Sequence, residues 1–84
     1  MTWFVYMLRC ADGSLYTGIA RDLEQRVEEH NGDDRRAARY TRSRRPVVLI
    51  YWESVATRSE ASKREAAIKR MSREEKERLL NGCR

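Results

Sequence analysis

Asp12-Gly13 stands between two short apolar runs, and this arrangement constrains the fold more than any other feature of the chain. An Asp-Gly pair accepts the backbone of a tight turn at little steric cost. Before it, Trp3-Phe4-Val5-Tyr6-Met7-Leu8 is aromatic and β-branched; after it comes Leu15-Tyr16-Thr17-Gly18-Ile19. The spacing predicts a β-hairpin. Because side chains alternate with a period of two, the length of the connection decides which of them share a face. A two-residue turn pairs Cys10 with Leu15 and sends Tyr6 and Tyr16 to opposite faces. A three-residue loop, with Gly13 left-handed at a bulge, places both tyrosines on one face.

Helix signals follow the hairpin. Asp22 with Gln25 three residues on is a capping-box signature, and the helix it opens is expected to stop near Asn31-Gly32 with Gly32 left-handed. Residues 33–46 read as a loop crowded with arginine and closed by Pro46. Val47-Val48-Leu49-Ile50-Tyr51-Trp52 is an apolar run of strand length, expected as the central strand. Thr57 with Glu60 opens a helix to about Met71, and Ser72 with Glu75 opens a last one to about Leu80. The order β-β-α-β-α-α is an α+β layout around a small mixed or antiparallel sheet. With 84 residues there is room for one domain, residues 1–84, which buries only roughly 60 % of its unfolded surface.

Composition narrows the function classes. At 40 % hydrophobic and 37 % charged the chain supports a core beneath a heavily charged surface. The net charge is +5 and the pI about 9.7, with arginine supplying most of the excess. The planar guanidinium fork matches phosphate, so nucleic acid is the partner to expect, though a basic soluble surface explains the charge as well. Cys10 and Cys83 make no disulfide framework, and with His30 as the single histidine there is no zinc set. No apolar run approaches the roughly 20 residues of a membrane span, and the opening run lacks a basic leader. A soluble, cytoplasmic protein is expected, without membrane or small-molecule cofactor.

Several polar residues sit where an ordinary amphipathic helix would be apolar. At about 100° per residue, Leu23, Arg26, Val27 and His30 cluster on one side, with Glu24, Gln25, Glu28 and Glu29 elsewhere. Arg26 can lay its stem on the core and its head in water. His30 can serve the helix dipole, worth roughly 0.3–1 kcal/mol. Together they also fit a cationic phosphate donor beside a titratable base. In the later helix Glu65 shares a face with Ala61 and Ile68. It pairs with Lys69 for roughly 0.2–0.5 kcal/mol, or stands as one carboxylate able to hold magnesium. Asp33 and Asp34 are expected to be ion-paired rather than metal-binding.

These residues, in this order, resemble the GIY-YIG nuclease superfamily, specifically its small stand-alone bacterial (YhbQ-like) group. The two signature strands are Phe4-Val5-Tyr6 and Tyr16-Thr17-Gly18; Arg26, His30 and Glu65 follow at the expected places, as do Tyr40-Thr41-Arg42, Arg45-Pro46, Glu53 and Arg64. The resemblance covers essentially the whole chain. It implies a three-stranded antiparallel sheet flanked by helices and a phosphodiesterase acting on nucleic acid, DNA first. It implies one Mg2+ or Mn2+ held by Glu65 and a scissile phosphate held by Arg26. Tyr6 would orient or activate the attacking water, with Tyr16 and His30 assisting; family members differ over whether tyrosine or histidine is the base. Arg21, Arg42, Arg44, Arg45 and Lys69 would contact the nucleic-acid backbone. Phe4 and Val5 replace the glycine and isoleucine of the first triplet, and Ile19 replaces a lysine of the excision-repair relatives. A binding module that uses the arginine-rich face without cleavage, and a domain that docks an acidic protein, are the competing readings.

Overall fold

The hairpin closes through the three-residue loop. Cys10 N–H donates to the Ser14 carbonyl and Gly13 N–H to the Cys10 carbonyl, both at 2.9 Å, and Gly13 has φ +84°. Asp12 Oδ1 accepts from the Ser14 N–H at 3.0 Å and from its hydroxyl at 2.6 Å, which fixes the bend. The strands β1 (Trp3–Arg9) and β2 (Leu15–Ala20) then pair with Leu8 opposite Tyr16 and Tyr6 opposite Gly18. Tyr6 and Tyr16 therefore share a face, as the bulged connection requires. The computed structural model describes residues 2–82, so Cys83 lies outside the described residues.

The third strand, β3 (Val48–Val55), pairs antiparallel with β1 on the side away from β2, giving the order β2-β1-β3. This corrects the expectation that the Val47–Trp52 run is central. Residues Val5 to Leu8 are all at most 1 % exposed, whereas Val48 and Trp52 on β3 are 58 % and 56 % exposed. A strand flanked on both edges and covered on both faces reads as a continuous apolar run. Two such runs occur in the sequence, and only tertiary pairing tells which one is enclosed.

Helices cover both faces. Val5, Met7 and Tyr51 pack against Ala61 and Ile68 of α3 (Arg58–Lys69), with Leu79 and Leu80 of α4 (Arg73–Gly82) at the margin. Tyr6, Leu8, Ala20 and Val47 pack on the opposite face under Leu23 and Val27 of α1 (Leu23–Gly32). The caps are those expected. Asp22 accepts from Gln25 N–H at 3.0 Å and Thr57 from Glu60 N–H at 3.1 Å, while Ser72 and Glu75 cap each other reciprocally. No helix of the described residues is long and apolar enough to cross a membrane. Cys10 is a buried free thiol.

Two local expectations are corrected. Gly32 remains helical; Gly13 is the positive-φ glycine among the described residues, and α1 ends on Asp33 in extended conformation. There the Asp33 carboxylate takes over as acceptor for the N–H groups of Arg35 and Arg36, so the chain turns without a left-handed residue. The arginine-rich segment also contains a four-residue helix, α2 (Arg39–Arg42), seated by the buried Thr41. Its single apolar-facing turn is too short to show periodicity among so many arginines.

These two glycines separate experimentally. Gly13→Ala forces a side chain into left-handed backbone and is expected to cost about 1–2 kcal/mol in chemical denaturation. Gly32→Ala meets no atom within 4 Å at a helical position and is expected to be neutral or to stabilise by roughly 0.5–1 kcal/mol. Equal losses at both positions would contradict the assigned helix end.

Candidate active site

The register of β1 against β2 builds the centre of the site. A Cβ on Gly18 would lie 2.5 Å from the Tyr6 hydroxyl oxygen and 2.7 Å from Cζ, so the phenol lies across the bare backbone of Gly18. That tilt carries it to His30, which is fully buried in the last turn of α1. The Tyr6 hydroxyl is 2.9 Å from His30 Nε2, and His30 Nδ1 is 2.9 Å from Thr41 Oγ1. Thr41 in turn donates to the Ala38 carbonyl at 2.9 Å. With its one proton committed there, Thr41 accepts from Nδ1–H, and Nε2 is left to accept from the Tyr6 O–H. Ala38 N–H also points at Nδ1, at 3.4 Å the longest of these contacts. Tyr16 sets its ring against His30, centroids 5.3 Å apart, and stacks on Tyr40 at 5.9 Å.

Burial fixes the protonation states. It pushes the His30 pKa down to about 4, helped by the nearby Arg26 charge, and pushes the Tyr6 phenol up to about 12. Near neutral pH the histidine is thus uncharged and the phenol keeps its proton. Arg26 faces the Tyr6 hydroxyl, and its Nη1 also donates to Glu29 at 2.9 Å and to the Arg36 carbonyl at 2.6 Å. Glu29, placed by helical projection among the outward residues, is drawn in by this pair, its side chain 16 % exposed. Arg26 is the cationic edge of the cluster and covers the phenol.

Glu65 approaches from the other layer. Arg64, its neighbour on α3, donates from Nε and Nη2 to the two oxygens of Glu53 at 2.8 and 3.0 Å, and Tyr51 donates to the same carboxylate. Despite burial, these donors hold the Glu53 carboxyl below its usual range. The two-pronged bond fixes the rotation of α3 on β3. Glu65, 23 % exposed and 3.3 Å from Lys69, acts electrostatically on the Tyr6 phenol and raises its pKa. The described residues contain no group of three His, Cys, Asp or Glu placed to hold a metal ion. One partly exposed carboxylate suits a hard cation that keeps most of its waters, such as magnesium, rather than a closed zinc site.

The basic residues divide into two sets. Arg44 donates to Asp12 at 3.0 Å and to the Tyr40 carbonyl at 2.8 Å, with its guanidinium 4.0 Å over the Tyr40 ring. Arg45 donates to the His30 carbonyl at 2.6 Å and to Asp34 at 2.7 Å, and its Nη2 is buried. Both are turned inward and hold the 33–46 segment onto the hairpin and α1. Asp33 and Asp34 are ion-paired, as expected. Arg42 donates to the Asp34 carbonyl but lies exposed with Arg35, Arg36 and Arg39, and Arg21 lies 5.7 Å from the Trp3 ring centroid. Lys69 is paired with Glu65.

Residues 2–78 match the model of the GIY-YIG catalytic domain. The chain belongs to the GIY-YIG catalytic domain family. It is therefore, at family level, a nuclease-type phosphodiesterase that acts on nucleic acid. It is 56 % identical over 78 residues to a UPF0213 protein of Desulfotalea psychrophila, covering 93 % of this chain and 70 % of that one. A UPF0213 protein of Staphylococcus aureus is 53 % identical over 77 residues, covering 92 % of each. Two solution NMR structures share the fold. A protein of E. faecalis is 44 % identical with a TM-score of 0.67, covering 98 % of this chain and 85 % of that one. A UPF0213 protein of Bacillus halodurans is 36 % identical with a TM-score of 0.64, covering 99 % and 86 %. This GIY-YIG chain thus has the three-stranded antiparallel sheet that its motifs imply.

The structure brings Tyr6, Tyr16, Arg26 and His30 into one cluster with the Glu65 charge at its edge. It adds Thr41 and Tyr40, to which sequence reasoning gave no role; the Tyr40-Thr41-Arg42 motif was their signal. Replacing Thr41 by valine leaves the His30 Nδ1–H without a partner and is expected to cost about 1–3 kcal/mol, with Thr41→Ser recovering most of it. The depressed His30 pKa has a signed consequence. The unfolded chain takes up a proton below about pH 6.5 and the folded chain does so near 4. Stability should therefore fall on acidification through that window, by at most about 1.4 kcal/mol per pH unit. Thermal unfolding against pH measures it, and His30→Gln should flatten the slope.

Proposed function

We propose that this chain hydrolyses phosphodiester bonds in DNA, the whole described chain acting as one nuclease domain. The observation that carries it is the buried chain from Tyr6 through His30 to Thr41, capped at the phenol by Arg26 and within the field of Glu65. Phosphate hydrolysis has a use for a proton acceptor, a cationic donor and a carboxylate gathered this closely.

The roles follow from proton positions. Neither His30 nor Tyr6 is open to solvent while Arg26 covers the phenol. A phosphate that draws the guanidinium away neutralises its own charge and uncovers the Tyr6 oxygen in one movement. The phenol gives its hydrogen to Nε2, so its oxygen is free to accept from a water. When that water attacks phosphorus, its proton passes to the Tyr6 oxygen as the phenolic proton passes to His30 Nε2. Tyrosine is then the group the water touches, and neutral histidine the ultimate base, available because its pKa is near 4. Tyr16 packs edge-on against His30 and keeps the imidazole dry. Glu65 would hold one magnesium or manganese ion, whose charge when bound stabilises the departing oxygen. Exposed Arg21 and Arg42, with Lys69, would meet the flanking backbone; Arg44 and Arg45 serve the site by anchoring the 33–46 segment.

Nuclease assays on single-stranded, duplex and branched DNA, with magnesium, manganese or chelator, test this reading. Cutting is expected to require the metal and to fall at least about 100-fold in Glu65→Ala, with binding measured in chelator largely retained. Equal loss of binding and cutting would remove Glu65 from its metal role. Intact binding with no cutting under any metal would leave a non-catalytic nucleic-acid-binding module. The acid limb of kcat/KM should fall near pH 4, below the ordinary histidine range, in keeping with the His30 pKa pushed down to about 4.

A further inference from the structure

A second feature lies beside the Tyr6 cluster on the β2 side. A cleft of about 280 Å³ runs between the β2 edge and the first turns of α1, lined by Trp3, Ile19, Arg21, Gln25 and Arg26 among others. Arg26 is shared, so the cleft leads directly away from the phenol it covers. Its outer end is a half-buried tryptophan with two guanidiniums beside the ring, Arg21 at 5.7 Å and Arg58 at 5.8 Å from the centroid. Two acids also line it, but both are committed: Asp22 caps α1, and Glu29 is paired with Arg26. What the cleft offers a ligand is cationic edges around an aromatic and aliphatic floor of Trp3 and Ile19.

We propose that this cleft is a subsite for one unpaired nucleotide of a DNA strand, next to the phosphate held by Arg26. It rests on the nuclease reading and adds the substrate class. A phosphate on Arg26 directs the adjoining nucleotide along β2 toward Trp3. The volume, just under the roughly 300–1,000 Å³ of small-molecule pockets, is on the scale of one nucleotide unit. Arg21 and Arg58 stand where a stacked base would lie and can release the ring to it, turning their guanidiniums to the flanking phosphates. Only a base lifted out of its own stack presents a face to Trp3, so the cleft selects single-stranded or unpaired positions over intact duplex. Ile19 suits this better than a lysine would, because it forms the flat apolar floor on which a base and sugar lie.

The test uses the full chain with Trp52→Phe, which removes the exposed tryptophan on β3 and leaves Trp3 as the sole reporter. Chelator is present in the fluorescence and binding measurements, so that no strand is cut, and cutting is assayed separately with metal. A short single-stranded oligodeoxynucleotide should quench Trp3 fluorescence, and a blunt duplex of the same sequence should not. Trp3→Leu should weaken single-strand binding by about tenfold or more while changing duplex binding less than about twofold. An abasic position in the strand should reproduce that loss in the parent protein and add nothing in Trp3→Leu. Absence of quenching by the single strand, in a protein whose Trp3 is untouched, would overturn the proposal, as would equal losses on both substrates. Cutting in magnesium without any Trp3 response removes the subsite and leaves the nuclease. A Trp3 response without cutting under any metal removes the nuclease and leaves a strand-binding cleft.

Discussion

The structure turns on satisfying a buried imidazole. His30 has no exposed surface, so each ring nitrogen must find a partner inside the protein or incur the cost of an unmet polar group. One nitrogen is met by Tyr6 from the sheet and the other by Thr41 from the short helix α2. Three segments far apart in sequence are thereby fixed relative to one another: the hairpin, the end of α1 and the arginine-rich connection. The same burial that makes the partners obligatory also keeps the imidazole neutral. A group that is neutral, oriented and hydrogen-bonded to a phenol is already arranged to receive a proton. Packing and proposed chemistry are met here by one set of contacts.

Everything that approaches this centre depends on the sheet register. The three-residue loop with Gly13 at positive φ puts Tyr16 on the face of Tyr6, and pairing then sets Gly18 opposite Tyr6. Because glycine has no side chain, the phenol lies down over it instead of standing upright from the sheet, and only so does it reach α1. On the opposite face the bidentate Arg64–Glu53 bond holds α3 in rotation, so that the following residue, Glu65, comes within the field of the same phenol. A small domain with limited core uses directional polar contacts where a larger one would use more apolar area.

Much of this was legible locally. The hairpin, the caps at Asp22, Thr57 and Ser72, and the helices behind them are short-range facts, and each is met in the structure by the hydrogen bond the residue types imply. The register of the tyrosines was legible as a pair of alternatives. The end of α1 was not, because Gly32 permits a left-handed residue without requiring one, and Asp33 offered a competing side-chain acceptor. The division of the arginines was hidden as well. Arg44 and Arg45 are chemically the same as Arg39 and Arg42, and what turns them inward is where Asp12, Tyr40, Asp34 and the His30 carbonyl happen to lie.

The sequence by itself determined every element except α2, the order of those elements, the antiparallel hairpin and the identity of the polar residues that do not belong on an apolar face. These depend on backbone propensity, capping and periodicity, which act over a few residues. Tertiary structure alone decided that β1 rather than β3 is enclosed, that Thr41 completes the histidine, and which cations face outward. Those outcomes depend on pairing and burial between segments distant along the chain, where equal side chains acquire unequal surroundings.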